Sequence, residues 1–395
     1  MMKMEVAPPK VLKQPLVIPQ RVLMGPGPSN VHPRVLHAMS HNVLGHMNQE
    51  TFQIMDEIKE GIRYLFQTKN DLTLATSATG HSGMEAILCN LIEPGDKVLV
   101  AVNGLWGTRA ADMAERYGGV VTEMTVKLGK NFTFDVIESF LSKVRPKLLF
   151  IVQGETSTGV FQPIEGLGKI CHRYDCLLAV DLVATVGGVP FFMDKWEVDA
   201  AYTAVQKILS VPTGLAIMSF SPKAQKVIFD RKIPPKVFFW DMRILGQQWK
   251  CYDKPRIYHH TVSSSLLSAL RESLAMLAEE GLENVIKRHE ICYERLAKGL
   301  QDLGLKFFVE EEKDRLITVT SLIVRDEFDH KEFLDFCMKK YSLEIGTGLL
   351  GQTGGGKLLR VGLMGYNATL ETVEFTLKVM KEAKDHAETK SSSKL

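Results

Sequence analysis

Leu72-Thr73-Leu74-Ala75-Thr76 runs directly into Ser77-Ala78-Thr79-Gly80-His81-Ser82-Gly83. A short β-branched and apolar run, then small and hydroxylated residues with glycine, reads as a strand turning into a helix over about Gly80 to Leu91. The same figure recurs downstream. Lys97-Val98-Leu99-Val100-Ala101-Val102 predicts a strand, with a helix over Gly107 to Tyr117. Leu148 to Val152 and Cys176 to Val180 read as buried strands, with a helix around Leu167 to Arg173 between them. Such alternation specifies an α/β fold with a mainly parallel sheet covered by helices on both faces. Right-handed crossovers then align the strand C-termini along one edge, where open α/β sheets bind ligands.

After His260 the pattern changes. Leu266, Leu270, Leu274 and Leu277 have helical spacing from Ser265 to Glu280, with Gly281 as a natural C-cap and a second helix over Leu282 to Leu303. Leu316 to Val324, Leu343-Glu344-Ile345 and Leu358 to Leu363 read as strands, with helices around His330 to Lys339 and Thr369 to Lys384. The expected organisation is an extended N-terminal arm over 1–23, a large domain over 24–281, a smaller α+β domain over 282–385 and a polar tail over 386–395. The arm holds Pro8, Pro9, Pro15 and Pro19, which disfavour a helix. With nothing of its own to lie on, it is expected to cross another subunit.

Composition narrows the function. Lys+Arg 48 against Asp+Glu 46 leaves +2, too balanced for a protein that tracks nucleic-acid phosphates. No apolar run approaches the roughly 20 residues of a membrane span. The six cysteines form no C-x-x-C pair, and no Cys/His group has zinc-ligand spacing. They read as reduced thiols. His259-His260 would point apart on a strand. The chain closes on Ser393-Lys394-Leu395 after the polar stretch from Lys384 to Ser392. A terminal S-K-L is a peroxisomal address read by an import receptor, so the expected location is the peroxisome.

Three features carry chemistry. Orphan N–H groups at the start of the Gly80 helix, with the Thr79 and Ser82 hydroxyls, make an anion cradle. It is neither a P-loop nor a G-x-G-x-x-G turn. Asp181 ends the apolar run Cys176 to Val180, where a carboxylate needs a partner: a metal, a ribose hydroxyl or a protonated ring nitrogen. Lys207 follows Asp199-Ala200-Ala201-Tyr202-Thr203-Ala204-Val205-Gln206, apolar surroundings that depress an amine's pKa and suit it to Schiff-base chemistry. Together these are a phosphate seat, a pyridinium partner and an amine for covalent attachment, the set that pyridoxal phosphate requires. Trp106, after the second strand, is the candidate ring cover.

On these residues the chain resembles the class V aminotransferases of fold type I. The likeness runs from about Pro15 to Ala383. It is carried also by Met24-Gly25-Pro26-Gly27-Pro28-Ser29-Asn30, Gln53 to Lys59, Gly154-Glu155-Thr156-Ser157-Thr158-Gly159, Tyr258-His259-His260-Thr261 and Leu359-Arg360-Val361-Gly362. The resemblance implies that Lys207 and Asp181 are catalytic, Lys207 carrying the cofactor and Asp181 holding its ring nitrogen. It implies that Trp106 stacks on the ring, that Thr79, Gly80, His81, Val183 and Gln206 surround phosphate and ring face, and that Thr156 lies near the ring hydroxyl. Tyr258 and Thr261 match positions that reach the neighbouring subunit's phosphate, which implies a homodimer. Arg360 matches the arginine that grips the substrate carboxylate, with Gly27, Gly45, His46, Met47 and Thr156 around the substrate. Ser77-Ala78-Thr79-Gly80 departs from the commoner Ser-Gly-Ser-Gly, and Ile208 to Gly214 lacks the usual paired prolines.

The implied reaction moves the amino group of alanine or serine to glyoxylate, giving glycine and a 2-oxo acid in ping-pong fashion. Transamination of 3-hydroxykynurenine to form xanthurenic acid is the alternative, and a non-catalytic scaffold a remote one. A desulfurase would need a mobile-loop cysteine, whereas Cys337 falls in the helical pattern Phe333 to Cys337. Small donors are favoured on Gly45-His46-Met47, where Gly45 offers no side chain and no amide is expected beside it to hold a polar ring.

Overall fold

A computed structural model describes residues 5–324, 329–348 and 358–392; Ser393-Lys394-Leu395 lies outside the described residues. β1 (Val22–Leu23), α1 (Pro33–Met39) and α2 (Gln49–Phe66) lead into the first half of a large sheet. It continues as β2 (Leu72–Thr76), α3 (Gly80–Leu91), β3 (Lys97–Val102), α4 (Leu105–Arg116), β4 (Val120–Thr125), α5 (Phe134–Val144) and β5 (Leu148–Val152). A small hairpin, β6 (Gly154–Glu155) and β7 (Val160–Phe161), precedes α6 (Leu167–His172), β8 (Leu177–Asp181), β9 (Ala200–Ala204) and β10 (Ala216–Phe220).

The strand order is β2-β10-β9-β8-β5-β3-β4. All neighbours are parallel except β10, which runs antiparallel to both β2 and β9. The cause is length: residues 205–215 are too few for the dozen or more that a parallel crossover needs. Every residue of β2, β5, β8, β9 and β10 is buried, as strands covered on both faces must be. β4 lies on the edge and alternates poorly, with Val120 exposed at 56%, which is why its sequence carries no clear strand signal.

Helices α7 (Pro222–Phe229), α8 (Met242–Gln248), α9 (Ser264–Glu280) and α10 (Leu282–Asp302) follow. The second sheet takes β11 (Lys306–Phe307), β12 (Val319–Ile323), β14 (Gly346–Thr347) and β15 (Leu358–Gly362) in the antiparallel order β11-β12-β15-β14. α11 (His330–Tyr341), β13 (Leu343–Glu344) and α12 (Leu370–Ser392) complete the chain.

Three details correct the expected boundaries. β1 pairs in parallel with β13, and Met24 is buried in the second core, so the end of the arm is stitched to the smaller sheet. α10 belongs to both cores, with Val285 in the first and Cys292, Leu296 and Leu300 in the second. The stretch expected as a polar tail from residue 386 is helical to Ser392. Ala387 is fully buried, His386 lies 2.8 Å from Glu332, and Lys384 pairs with Glu388 one turn on. In the arm itself, Val6, Val11, Leu12, Leu16, Val17 and Ile18 are all more than 70% exposed. No described helix is long and apolar enough to cross a membrane.

Candidate active site

Parallel strands put their C-termini on one edge, and the residues that follow them line one cavity. Thr79, Gly80 and His81 come after β2, and Trp106 after β3. Gly154 and Thr156 follow β5, Asp181 ends β8 with Val183 just beyond it, and Gln206 and Lys207 follow β9.

Asp181 is 4% exposed. Its carboxylate accepts from the backbone N–H of Val183 at 2.8 Å and from the hydroxyl of Tyr202. Desolvation pushes its carboxyl up to about 6 against those two hydrogen bonds and the nearby Lys207. The Lys207 amine donates to the carbonyl of Pro26 at 2.5 Å. Desolvation, aided by the charge of Arg360 and opposed by Asp181, brings it down to about 8. Gly27 roofs this amine: at φ +97°, any Cβ there would stand 2.4 Å from Lys207 Nζ.

Trp106 sits in the first turn of α4, which begins two residues before its expected start. Its indole N–H donates to Thr156 Oγ1 at 2.7 Å and its backbone N–H to Glu155 Oε2 at 3.0 Å. Glu155 was not among the expected site residues. It is fully buried, also accepts from the N–H and hydroxyl of Ser157, and is pushed up to about 7 by desolvation. Its signal in the sequence is a carboxylate just past a wholly apolar strand, the same signal that marks Asp181. Tyr202 was missed too, since a tyrosine inside a strand reads as core.

Arg360, on β15 of the second sheet, is 5% exposed. Its Nε and Nη2 donate to the carbonyl of Thr347 at 2.9 and 2.5 Å, and Nη1 donates to the carbonyl of Thr156 at 2.9 Å. No described carboxylate forms an ion pair with it. Of five N–H donors, three are engaged, leaving one on each terminal nitrogen. A buried guanidinium with two spare donors beside the cavity is a carboxylate receptor.

Not every expected residue joins this cavity. Tyr258 and Thr261 face outward, their hydroxyls 3.2 Å apart, and Tyr258 is 56% exposed. The ring of His46 lies 5.1 Å from that of Tyr258, so Gly45, His46 and Met47 group with this outer segment. An amide does stand beside Gly45: a Cβ there would meet Asn48 Oδ1 at 2.8 Å, and Asn48 N–H bonds back to the Gly45 carbonyl at 3.0 Å. The glycine is accounted for by this turn. Ser82 does not serve the anion cradle, because its hydroxyl donates to the Thr79 carbonyl. His259 and His260 are not on a strand; their Nδ1 atoms approach to 2.9 Å.

The cavity fits pyridoxal phosphate. α3 presents its first turn to it, and a Cβ on Gly80 would collide with that of Ala204 at 2.8 Å, so the backbone stays bare there. Asp181 is a buried acceptor whose desolvation a ring N–H⁺ would offset. Gln206 Oε1 is buried without a partner. An amine, an indole and a threonine hydroxyl close the remaining sides. Among the described residues, no cluster of His, Cys, Asp or Glu could hold a metal ion, and the six cysteines are buried and unpaired.

Residues 22–374 match the family described as aminotransferase class-V. The chain is 51% identical over 381 residues to the alanine–glyoxylate aminotransferase of Drosophila melanogaster, covering 96% of each. It is 47% identical to that of Rattus norvegicus, covering 96% of this chain and 92% of the relative. Among solved structures, an alanine–glyoxylate aminotransferase from Nostoc sp. superposes with a TM-score of 0.91 at 39% identity, over 96% of this chain and 100% of that one. A ureidoglycine–glyoxylate aminotransferase from Bacillus subtilis gives the same TM-score at 35% identity, over 95% of both.

Proposed function

The chain belongs to the class-V aminotransferases, which use pyridoxal phosphate, and on that premise we propose that it transfers the amino group of alanine to glyoxylate. The observation that carries the reading is that Lys207 and Asp181 line one cavity while the buried Arg360 is hydrogen-bonded to Thr156 at its edge. The relatives named for alanine and glyoxylate, at about half identity over nearly the full chain, support the substrate pair.

When bound, the cofactor supplies an electron sink for a substrate carbanion. The chain's own groups do the rest. Arg360 fixes the α-carboxylate of the amino donor with its two spare N–H groups, which orients Cα toward Lys207. With a pKa near 8, the Lys207 amine is partly neutral at physiological pH and takes the proton from Cα. Asp181, steadied by Val183 and Tyr202, holds a proton on the ring nitrogen. Trp106, locked through both its nitrogens by Glu155 and Thr156, would cover one face of the bound ring. The same residues run in reverse for the 2-oxo acid, whose carboxylate meets the same arginine.

The active unit in this reading is a homodimer. Tyr258 and Thr261 turn away from their own cavity, and the apolar arm needs a surface. Import into peroxisomes through Ser393-Lys394-Leu395 is part of the proposal. The decisive experiment compares kcat/KM for alanine and for 3-hydroxykynurenine with glyoxylate as acceptor, scoring glycine, the product common to both. A preference for alanine is expected; a preference for 3-hydroxykynurenine overturns the substrate assignment.

A further inference from the structure

Ser77 stands between the end of β2 and the cavity-lining Thr79 and Gly80, and it is held from far along the chain. Its Oγ lies 2.8 Å from Nε2 of His260. Nδ1 of His260 lies 2.9 Å from Nδ1 of His259, and Nε2 of His259 lies 3.4 Å from the carbonyl oxygen of Phe238. The two rings are confined by aromatic neighbours. His259 stacks on Phe238 with centroids 5.0 Å apart and planes 4° from parallel, and His260 meets Phe239 at 4.8 Å. Gln248 fixes the backbone by donating to the His260 carbonyl at 2.8 Å. Burial holds both imidazoles below their usual pKa, so both are neutral at physiological pH.

One arrangement of protons satisfies this row. The Phe238 carbonyl has no proton to give, so His259 carries its proton on Nε2 and its Nδ1 is bare. His260 must then donate from Nδ1, which leaves its Nε2 bare. Ser77 therefore donates its hydroxyl proton to His260. The serine so engaged has no proton left for a cofactor phosphate, and its effect on the cavity runs through the backbone of Ser77-Ala78-Thr79.

We infer that His260 is a positioning residue for the cofactor, holding the Ser77–Thr79 loop so that the first turn of α3 is aimed at the phosphate, with His259 fixing its tautomer. The inference rests on the pyridoxal phosphate reading. It gives the Tyr258–Thr261 segment two faces, with the histidines turned inward to their own loop and Tyr258 and Thr261 turned outward. A loop already ordered before binding costs the ligand less to engage.

The test is the dissociation constant of pyridoxal phosphate, measured by tryptophan quenching on cofactor-stripped full-length protein. Wild type should bind, and failure to do so overturns the cofactor reading itself. His260→Asn retains a group near the Nδ1 position but does not reach Ser77; His260→Gln reaches Ser77. His260→Asn and Ser77→Ala should each weaken binding about ten-fold, the cost of one lost hydrogen bond, and the double variant should be no worse than either single one. His260→Gln should stay within about three-fold of wild type. Additive losses in the double variant, wild-type affinity in Ser77→Ala, or His260→Gln as weak as His260→Asn would each overturn the inference. Ser77→Ala removes a single atom, so it carries the test even if an imidazole variant loses its fold.

Discussion

Replacing Arg360 by lysine should separate carboxylate recognition from cofactor binding. In the wild type three donors are committed to Thr347 and Thr156, and two remain for the substrate. An ammonium has three donors, and the same two carbonyls compete for them, leaving about one for the substrate. Losing one charge-assisted hydrogen bond costs about 1.5–3 kcal/mol, or about a 10- to 150-fold fall in kcat/KM. Arg360→Met loses both, and the fall should exceed about a hundred-fold. Because amino donor and 2-oxo acid both carry the carboxylate, both half-reactions should fall by similar factors. The assay is single-turnover kinetics of each half-reaction, with an amine lacking a carboxylate as control. Pyridoxal phosphate affinity should not change, since Arg360 does not line the cofactor cavity. The reasoning is refuted if Arg360→Met keeps kcat/KM within a few-fold, or if the amine without a carboxylate suffers the same loss.

Asp181→Asn should lower kcat at least about a hundred-fold, because it breaks a buried charge pair. The cofactor-free variant should be no less stable at pH 7 by chemical denaturation, since the ionised carboxyl, raised to about 6 when folded, opposes folding above that pH. Mixing inactive Lys207→Ala with an inactive Thr261 variant should restore activity in hybrids if Thr261 completes the neighbour's site; no recovery, with subunit exchange verified, counts against the shared site. His289 is fully buried, donating to the Val285 carbonyl at 2.7 Å and accepting from Gly365 N–H at 3.1 Å, and burial lowers it from 6.5 to about 4. Its folded pKa lies below the unfolded one, so the unfolded chain binds more protons between pH 6.5 and 4, and stability falls as the pH drops through that window. By pH 5 the loss from this group is about 2 kcal/mol, and a His289→Phe variant should lose that part of the pH slope. Deleting Leu395 should leave the enzyme active but outside peroxisomes, as judged by microscopy; unchanged import would assign the address elsewhere.

The large sheet was legible because its strands are buried on both faces and therefore apolar throughout. Asp181 and Lys207 stood out as the polar residues that end such runs or follow them. Strands whose burial is one-sided or absent, such as β4, left no comparable trace. The antiparallel run of β10 depends on how the chain returns from Lys207, which no periodicity records. Partnerships were the hardest to read. Tyr202 holds Asp181 from the next strand, and His260 holds Ser77 from 183 positions away. Neither pairing leaves a local pattern. The expectation of no amide beside Gly45 missed for a different reason, since the group that fills its space, Asn48, is only three residues on and is itself a turn former.

The site divides its work between two cores. Every group expected to touch the cofactor within one chain follows a strand of the large sheet, whereas Arg360 belongs to the small one. What joins them is a hydrogen bond from Arg360 to the Thr156 carbonyl, and Thr156 accepts in turn from the Trp106 indole. The substrate's grip and the ring's cover thus meet at one residue. A shift of the small sheet would move the arginine and strain Thr156 before it reached Asp181, which is anchored by Val183 and Tyr202 within the large core. Small-sheet substitutions other than at Arg360 itself should therefore alter KM for both carboxylate substrates more than they alter cofactor affinity. Substitutions at Tyr202 should do the reverse, because Tyr202 both lines the cofactor cavity and holds Asp181.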